Sequence, residues 1–328
     1  MAHKTKTEES IDIDGNFQDV KYKIVIKEAS IGKVKEAKQY TKNEISHEMD
    51  ILSRSFDSVR LVNPFECCVT QIEDNKTDGT SLTNKCYDVW NAPYQCQNCT
   101  SARALITKQT QSKLDVVDNN IYQVTSRPVI VDGKALVLEI TKLFSYTYNR
   151  YNSYNSRKKL ISAISAFNSQ FLQDKETNSY NRDYLSEHLP NLICEAKKNH
   201  RSNTALINIR HLYDITQSEG SMAASGIICS LYSLLNQIFH DETDIDLLFV
   251  RYSPDTFFVL ENKLNYKNFC ERIELLPKKA APKHILFNDK RLPFDIKTAC
   301  ADLGNENINT ENELFDILKK RIDEKIDN

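Results

Sequence analysis

The sequence lacks three things, and each absence narrows its class. No apolar run approaches the roughly 20 residues that cross a bilayer, so no membrane span is expected. The opening residues MAHKTKTEES carry no apolar core of a secretory signal, and the expected location is the cytoplasm. Neither sign of charge dominates, since 43 Lys and Arg against 45 Asp and Glu leave a net charge of -2. A basic field of the kind that attracts nucleic acid is therefore missing, and nucleic acid is not an expected partner. The 328 residues suit two domains.

Cysteine, by contrast, is plentiful: five of nine fall between 67 and 99. In a reducing compartment such residues serve as thiols or metal ligands rather than disulfides. Cys96-Gln97-Asn98-Cys99 is a C-x2-C turn that can grip one ion with two thiolates, and Cys86 together with Cys67 or Cys68 would complete the tetrahedral shell that structural zinc prefers. Two alternatives stand beside zinc: buried small hydrophobes, or a redox dithiol at Cys96 and Cys99. Covalent haem is excluded because no His follows Cys99.

In chain order, residues 1–40 read as a mobile polar tail, with VKYKIVI at 20–26 a strand or docking segment. Ile45, Met49, Leu52, Phe56 and Val59 step four and three apart, a helical seam that either dimerises or caps a domain core. From 60 to 143 the chain is β-rich. RLVNPFECCVTQI reads as a strand with a turn at Asn63-Pro64, KLDVVD and IYQVTSRPVIV as two runs, and ALVLEITKLF as a last strand after the Asp132-Gly133 hairpin turn. A helical segment between the strands completes the economical reading. This stretch resembles PAS-like sensor modules that carry a C-Y-D-x-W…C-x-N-C segment. That resemblance implies a sensor domain over 41–143 and favours Cys67 over Cys68, giving Cys67, Cys86, Cys96 and Cys99 as metal ligands. Between 144 and 173, Leu160, Ile164, Phe167 and Phe171 repeat the four-three-four step of a signalling helix, or of a helix capping the second domain.

Residues 204–260 organise the remainder. TALINI is a strand, and Ile227, Leu231, Leu234 and Ile238 mark the buried face of a helix. LLFVRY and TFFVL form a hairpin joined by Ser253-Pro254-Asp255, because Pro cannot donate to a ladder. A helix near 263–275, strands at KHILFN and FDIKTACA, and a helix at 311–326 follow.

Asn208-Ile209-Arg210-His211-Leu212-Tyr213-Asp214-Ile215-Thr216-Gln217, followed by Gly220, resembles the D-I-D-H-F-K-x-I-N-D segment of GGDEF diguanylate cyclases. Arg251-Tyr252-Ser253-Pro254-Asp255-Thr256-Phe257 lies where that family reads R-Y-G-G-D-E-F, and Asp174 to Leu185 resembles its D-x-L-T-G-L-Y-N-R-R-x-L opening. The resemblance implies a mixed α+β or α/β chain: an antiparallel PAS-like sheet followed, over 174–328, by a GGDEF central sheet with flanking helices.

It also implies that the chemistry has been removed. In the family a first-strand Asp and an acidic hairpin residue hold the metals, where this chain has Asn208 and, beside the surviving Asp255, Thr256. Ser253 and Pro254 replace the glycines that let backbone approach phosphate. Thr216 and Gln217 replace the guanine-binding pair. No Arg of an inhibitory R-x-x-D site stands in HDETDIDLLF, and the closing A-D-x-A-L-Y-x-A-K motif is absent, although Lys319, Lys320 and Arg321 keep charge in the last helix. Framework residues Asn181, Arg182, Arg251 and Phe257 remain.

The expected protein is a bacterial, zinc-bearing sensor coupled to a silent GGDEF-like domain that acts by dimerisation or by binding a partner or small ligand. The alternatives are a cyclase or nucleotide phosphohydrolase of altered specificity, which would use magnesium at Asp255 and Asn208, and a nucleotide receptor without turnover.

Overall fold

The computed structural model describes residues 11–17, 20–26, 37–70, 85–144, 154–240, 246–281, 285–288 and 290–324. Strands β1 (Ile11–Phe17) and β2 (Val20–Ile26) pair antiparallel as a separate hairpin. VKYKIVI is thus a strand, and this part of the segment read as a tail is ordered into a ladder.

The first sheet begins at β3 (Lys38–Tyr40). Helix α1 (Lys42–Ser53) is launched by a capping box, in which Thr41 accepts from the Glu44 N–H and the Glu44 carboxylate accepts from Thr41 N. Then come β4 (Ser58–Asn63), β5 (Cys68–Val69), α2 (Thr100–Thr107), β6 (Gln111–Val117), β7 (Asn120–Val131) and β8 (Lys134–Leu143). The order is β3-β7-β8-β4-β5, with β6 beside the first half of β7. β3 runs parallel to β7 and the other pairings are antiparallel. Asp132 and Gly133 both take positive φ, as a two-residue hairpin turn requires.

The two faces of this sheet differ. Leu61, Val129, Val131, Leu136, Leu138 and Ile140 pack with Tyr40 and Ile45, and Met49, Leu52, Phe56 and Val59 close over them. The four-three seam therefore caps the core of this first sheet. Because α1 ends at Ser53, Phe56 and Val59 continue the seam from a turn and from β4. The opposite face carries a buried polar cluster: Ser126 bonds the Thr100 and Ser101 hydroxyls of α2, and Ser101 donates to Glu139 at 2.9 Å.

Helix α3 (Tyr154–Phe171) leads into the second unit. This continues as β9 (Tyr180–Asn181), α4 (Arg182–Asn199), β10 (Asn203–Ile209), α5 (Leu212–Glu219), α6 (Ser221–Ile238), β11 (Leu247–Ser253) and β12 (Thr256–Glu261). It closes with α7 (Tyr266–Ala280), β13 (Ile285–Phe287), β14 (Lys290–Leu292), β15 (Ile296–Asp302) and α8 (Glu311–Glu324).

The central sheet has the order β15-β10-β12-β11-β9, and β13 pairs β14 in a separate hairpin. Both sheet faces are covered, so alternate residues of one strand enter different cores. Ala205, Ile207, Phe257 and Val259 meet the Ile227, Leu231, Leu234 and Ile238 face of α6 together with α7. Leu206, Phe258 and Leu260 meet Leu185, Leu189 and Ile193 of α4 and Leu314, Phe315 and Leu318 of α8.

Candidate functional site

The hairpin between β11 and β12 is the first candidate. Pro254 sits at the first central position of the turn closed by the Ser253–Thr256 pair, where its missing N–H is not called on. Arg251 braces the turn further: Nε donates to the Ser253 carbonyl at 2.8 Å and Nη2 to the Pro254 carbonyl, while the guanidinium lies 5.0 Å from the Phe257 ring centre. Burial lowers the pKa of Arg251. Its side chain also sits 3.9 Å from the Glu176 carboxylate, which links the hairpin to the loop before β9.

Asn208 on β10 lies directly across from Thr256 on β12. The Asn208 amide donates to the Thr256 hydroxyl at 3.0 Å, and that hydroxyl donates to Asp255 Oδ1 at 2.8 Å. The Ser253 hydroxyl donates to the same oxygen at 2.7 Å. Partial burial favours the neutral acid, yet the hydrogen bonds from Ser253, Thr256 and Asn208 outweigh it and hold the Asp255 carboxyl below its ordinary range.

The structure brings Asn208, Ser253, Asp255 and Thr256 into one hydrogen-bond network, with Pro254 in the same turn. Thr216 and Gln217 lie apart from that network on α5. The Thr216 hydroxyl is spent on its own helix, donating to the Leu212 carbonyl at 2.7 Å, and Gln217 is exposed. This donor set does not fit a divalent ion carrying a triphosphate, which calls for clustered anionic oxygens. It offers one carboxylate, already bonded to two hydroxyls, facing a neutral amide.

The thiols form the second candidate, and zinc is not confirmed among them. Among the described residues no group of three or more His, Cys, Asp or Glu side chains is gathered to hold a metal ion. Each thiol has another local role. Cys99 is the N-cap of α2, its sulfur accepting from the Ala102 N–H at 3.4 Å. Cys67 donates to the Pro64 carbonyl at 3.5 Å and packs in one small cluster with Cys86. Burial pushes the Cys96 thiol up to about 11, against the opposing field of Lys113.

A third feature was not visible in the sequence: the Cys96–Cys99 turn is bolted onto α4 of the second unit. Glu187 is 2% exposed. Its carboxylate accepts from Cys99 N at 3.0 Å and from Arg103 Nε at 2.6 Å, and its backbone carbonyl accepts from Gln95 Nε2 at 3.3 Å. The His188 ring, stacked on Tyr184, faces the Tyr184 carbonyl at 2.7 Å and the Cys96 carbonyl at 3.1 Å. A neutral imidazole has one N–H and so donates to one of these at a time. Burial drives the His188 pKa down to about 4. Across the same junction Arg103 lies 4.6 Å from the Phe171 ring centre, and Asn98 bonds Asn168 of α3 at 3.1 Å. The available signal was a polar pair, Glu187-His188, beside the Leu185, Leu189, Ile193 stripe of α4.

The family model for the GGDEF domain of diguanylate cyclases matches residues 171–326. Residues 171–326 are a GGDEF domain. Among solved structures, the coiled coil and GGDEF domain of DgcB from Caulobacter crescentus in complex with c-di-GMP is 14% identical, with a TM-score of 0.43 and 51% of this chain and 84% of that one covered. The FimX GGDEF domain from Pseudomonas aeruginosa is 16% identical, with a TM-score of 0.39 and coverage of 47% and 92%. The diguanylate cyclase SiaD with its activator SiaC, also from Pseudomonas aeruginosa, is 11% identical, with a TM-score of 0.39 and coverage of 52% and 64%. No curated protein matches the chain. No helix among the described residues is long and apolar enough to cross a membrane.

Proposed function

We propose that the chain is a cyclic di-GMP-type signalling protein whose GGDEF domain does not synthesise the dinucleotide and acts instead as an output surface set by the preceding sensor unit. The observation that carries this reading is the hairpin network. Phosphoryl transfer rests on positioning and on neutralising the triphosphate, and here Asp255 is tied to Ser253 and Thr256 while Asn208 supplies an amide where the family has a carboxylate. Pro254 also removes an N–H from the stretch where the family's glycines approach phosphate.

The sensor is PAS-like. An antiparallel sheet with α2 inserted between its strands and covering one face supports this, as does its position before the GGDEF domain. The Glu187 junction gives the sensor a physical grip on α4, and α4 packs against β11, the strand that carries Arg251. Pairing of two copies through α3 completes the reading, since Phe167 is 68% exposed and Leu160 and Phe171 share its side of the helix.

The test is calorimetric titration of the full-length protein with GTP and magnesium, with a search for cyclic di-GMP by chromatography. No product and no magnesium-dependent GTP binding is the expected result. Turnover at rates ordinary for enzymes would overturn the reading.

A further inference from the structure

Cys67 and Cys86 face one another. Cys68 and Lys85 form an antiparallel bridge, so the adjoining residues Cys67 and Cys86 are the next opposed pair, and Cys86 N donates to the Cys67 carbonyl at 3.0 Å. Directly opposed residues in an antiparallel pair have Cα atoms about 4.5–5.5 Å apart, inside the roughly 4.4–6.8 Å range that a disulfide spans. The two thiols are 2% and 8% exposed and share a small apolar cluster with Val62. Cys67 holds a left-handed backbone, φ 52, a conformation that costs a non-glycine residue free energy and that is retained where the thiols meet.

We propose that Cys67 and Cys86 are a modification site, a dithiol that closes reversibly to a disulfide when it meets a two-electron oxidant of the hydroperoxide class. One thiol gives up its proton and its sulfur attacks a peroxide oxygen. The O–O bond breaks and the leaving oxygen takes the proton, giving a sulfenic acid and one water, or an alcohol where the hydroperoxide is organic. The second sulfur displaces the sulfenic hydroxyl, which departs as water with the remaining thiol proton. In balance, two S–H bonds and one O–O bond are lost, one S–S bond forms, and two electrons pass from sulfur to oxygen.

Burial makes this pair slow to react. The Cys86 thiol is raised first by its hydrogen bond to Cys67 and then by burial, so thiolate is scarce and access waits on local opening. Closure would be felt beyond the pair. Arg60 Nη1 donates to the Cys86 carbonyl at 2.9 Å and pairs with Glu139, which accepts from Ser101 in the first turn of α2, the helix capped by Cys99 at the Glu187 junction. The chemistry of the pair stands by itself, and only its signalling consequence rests on the proposed sensor role.

The experiment exposes reduced, full-length protein to hydrogen peroxide, denatures it in the presence of an alkylating reagent and maps the peptides by mass spectrometry, with metal content measured on the same sample. The expected product is a peptide cross-linked between Cys67 and Cys86, lighter by two hydrogens and restored by dithiothreitol, while Cys194 and Cys270 remain alkylated. Full alkylation of Cys67 and Cys86 after peroxide, their cross-linking to other cysteines, or a stoichiometric metal ion held by them would overturn the proposal. The readout needs no variant, so a folding defect cannot obscure it. Cyclase activity in the reduced protein would sink the functional reading while leaving the disulfide standing, and alkylatable thiols would do the reverse.

Discussion

Single side chains set two opposite pH responses. Asp255 has a folded pKa below its ordinary value. Its contribution to stability is therefore complete above the unfolded value of about 3.9 and is lost as pH falls through the folded value. In Asp255→Asn the urea midpoint should lose part of its decline below about pH 4, measured against the unsubstituted protein. His188 is also depressed, to about 4, by burial, but a neutral folded imidazole favours folding only while the unfolded imidazole is neutral too. Its penalty begins as pH drops below about 6.5, grows toward about 4 and then levels off. His188→Gln should flatten the urea midpoint between those values, and an unchanged slope there would contradict the burial of the ring. The hairpin can be tested by restoring charge. Asn208→Asp with Thr256→Glu would place carboxylates at opposed positions beside Asp255, so magnesium should raise the melting temperature of the double variant and leave the parent unmoved.

Among the elements, α4 has the most to lose, because it is buried on two sides. Leu185, Leu189 and Ile193 enter the GGDEF core, while Glu187 and His188 turn toward the Cys96–Cys99 turn of the first unit. Removing one partner of a buried pair leaves an uncompensated charge, so Glu187→Ala should cost on the order of 3 kcal/mol in urea unfolding. It should also speed hydrogen exchange at residues 96–99, which a purely local effect on α4 would not do. Elements were legible where the pattern was long. The α6 face, the β10 strand and the Ser253-Pro254-Asp255 hairpin fall where apolar spacing and the proline put them, because two covered faces demand unbroken apolar runs. The Glu187 junction was illegible, since a buried carboxylate looks like a surface one until its partners, 84 to 92 residues away, are known. The thiols were legible in number but not in direction, since spacing does not say that Cys99 caps a helix or that Cys67 donates to Pro64.

At the scale of the molecule, α3 decides whether one copy suffices. Of its four-three-four stripe, Ile164 is 9% exposed, while Leu160, Phe167 and Phe171 are 37%, 68% and 39% exposed. All four lie on one side of the helix, which is buried at Ile164 and open elsewhere. That side borders a cavity of about 800 Å³ lined by Leu114, Ile164, Phe167 and Phe171 together with Arg103 and Lys113. Burying exposed aromatic surface gains roughly 25 cal/mol per Å², and three such side chains contributed by each of two helices supply the seam of a parallel pair without any new polar contact. If two copies join here, Phe167→Asp places a charge at the centre of the seam and should shift the protein from dimer to monomer in sedimentation velocity, with the melting temperature of each unit unchanged because Phe167 packs into neither core. A monomer before substitution, or a dimer that survives it, would move the output surface from α3 to the GGDEF domain itself, where Tyr213 and Met222, each 75% exposed, are the next apolar surface available to a partner.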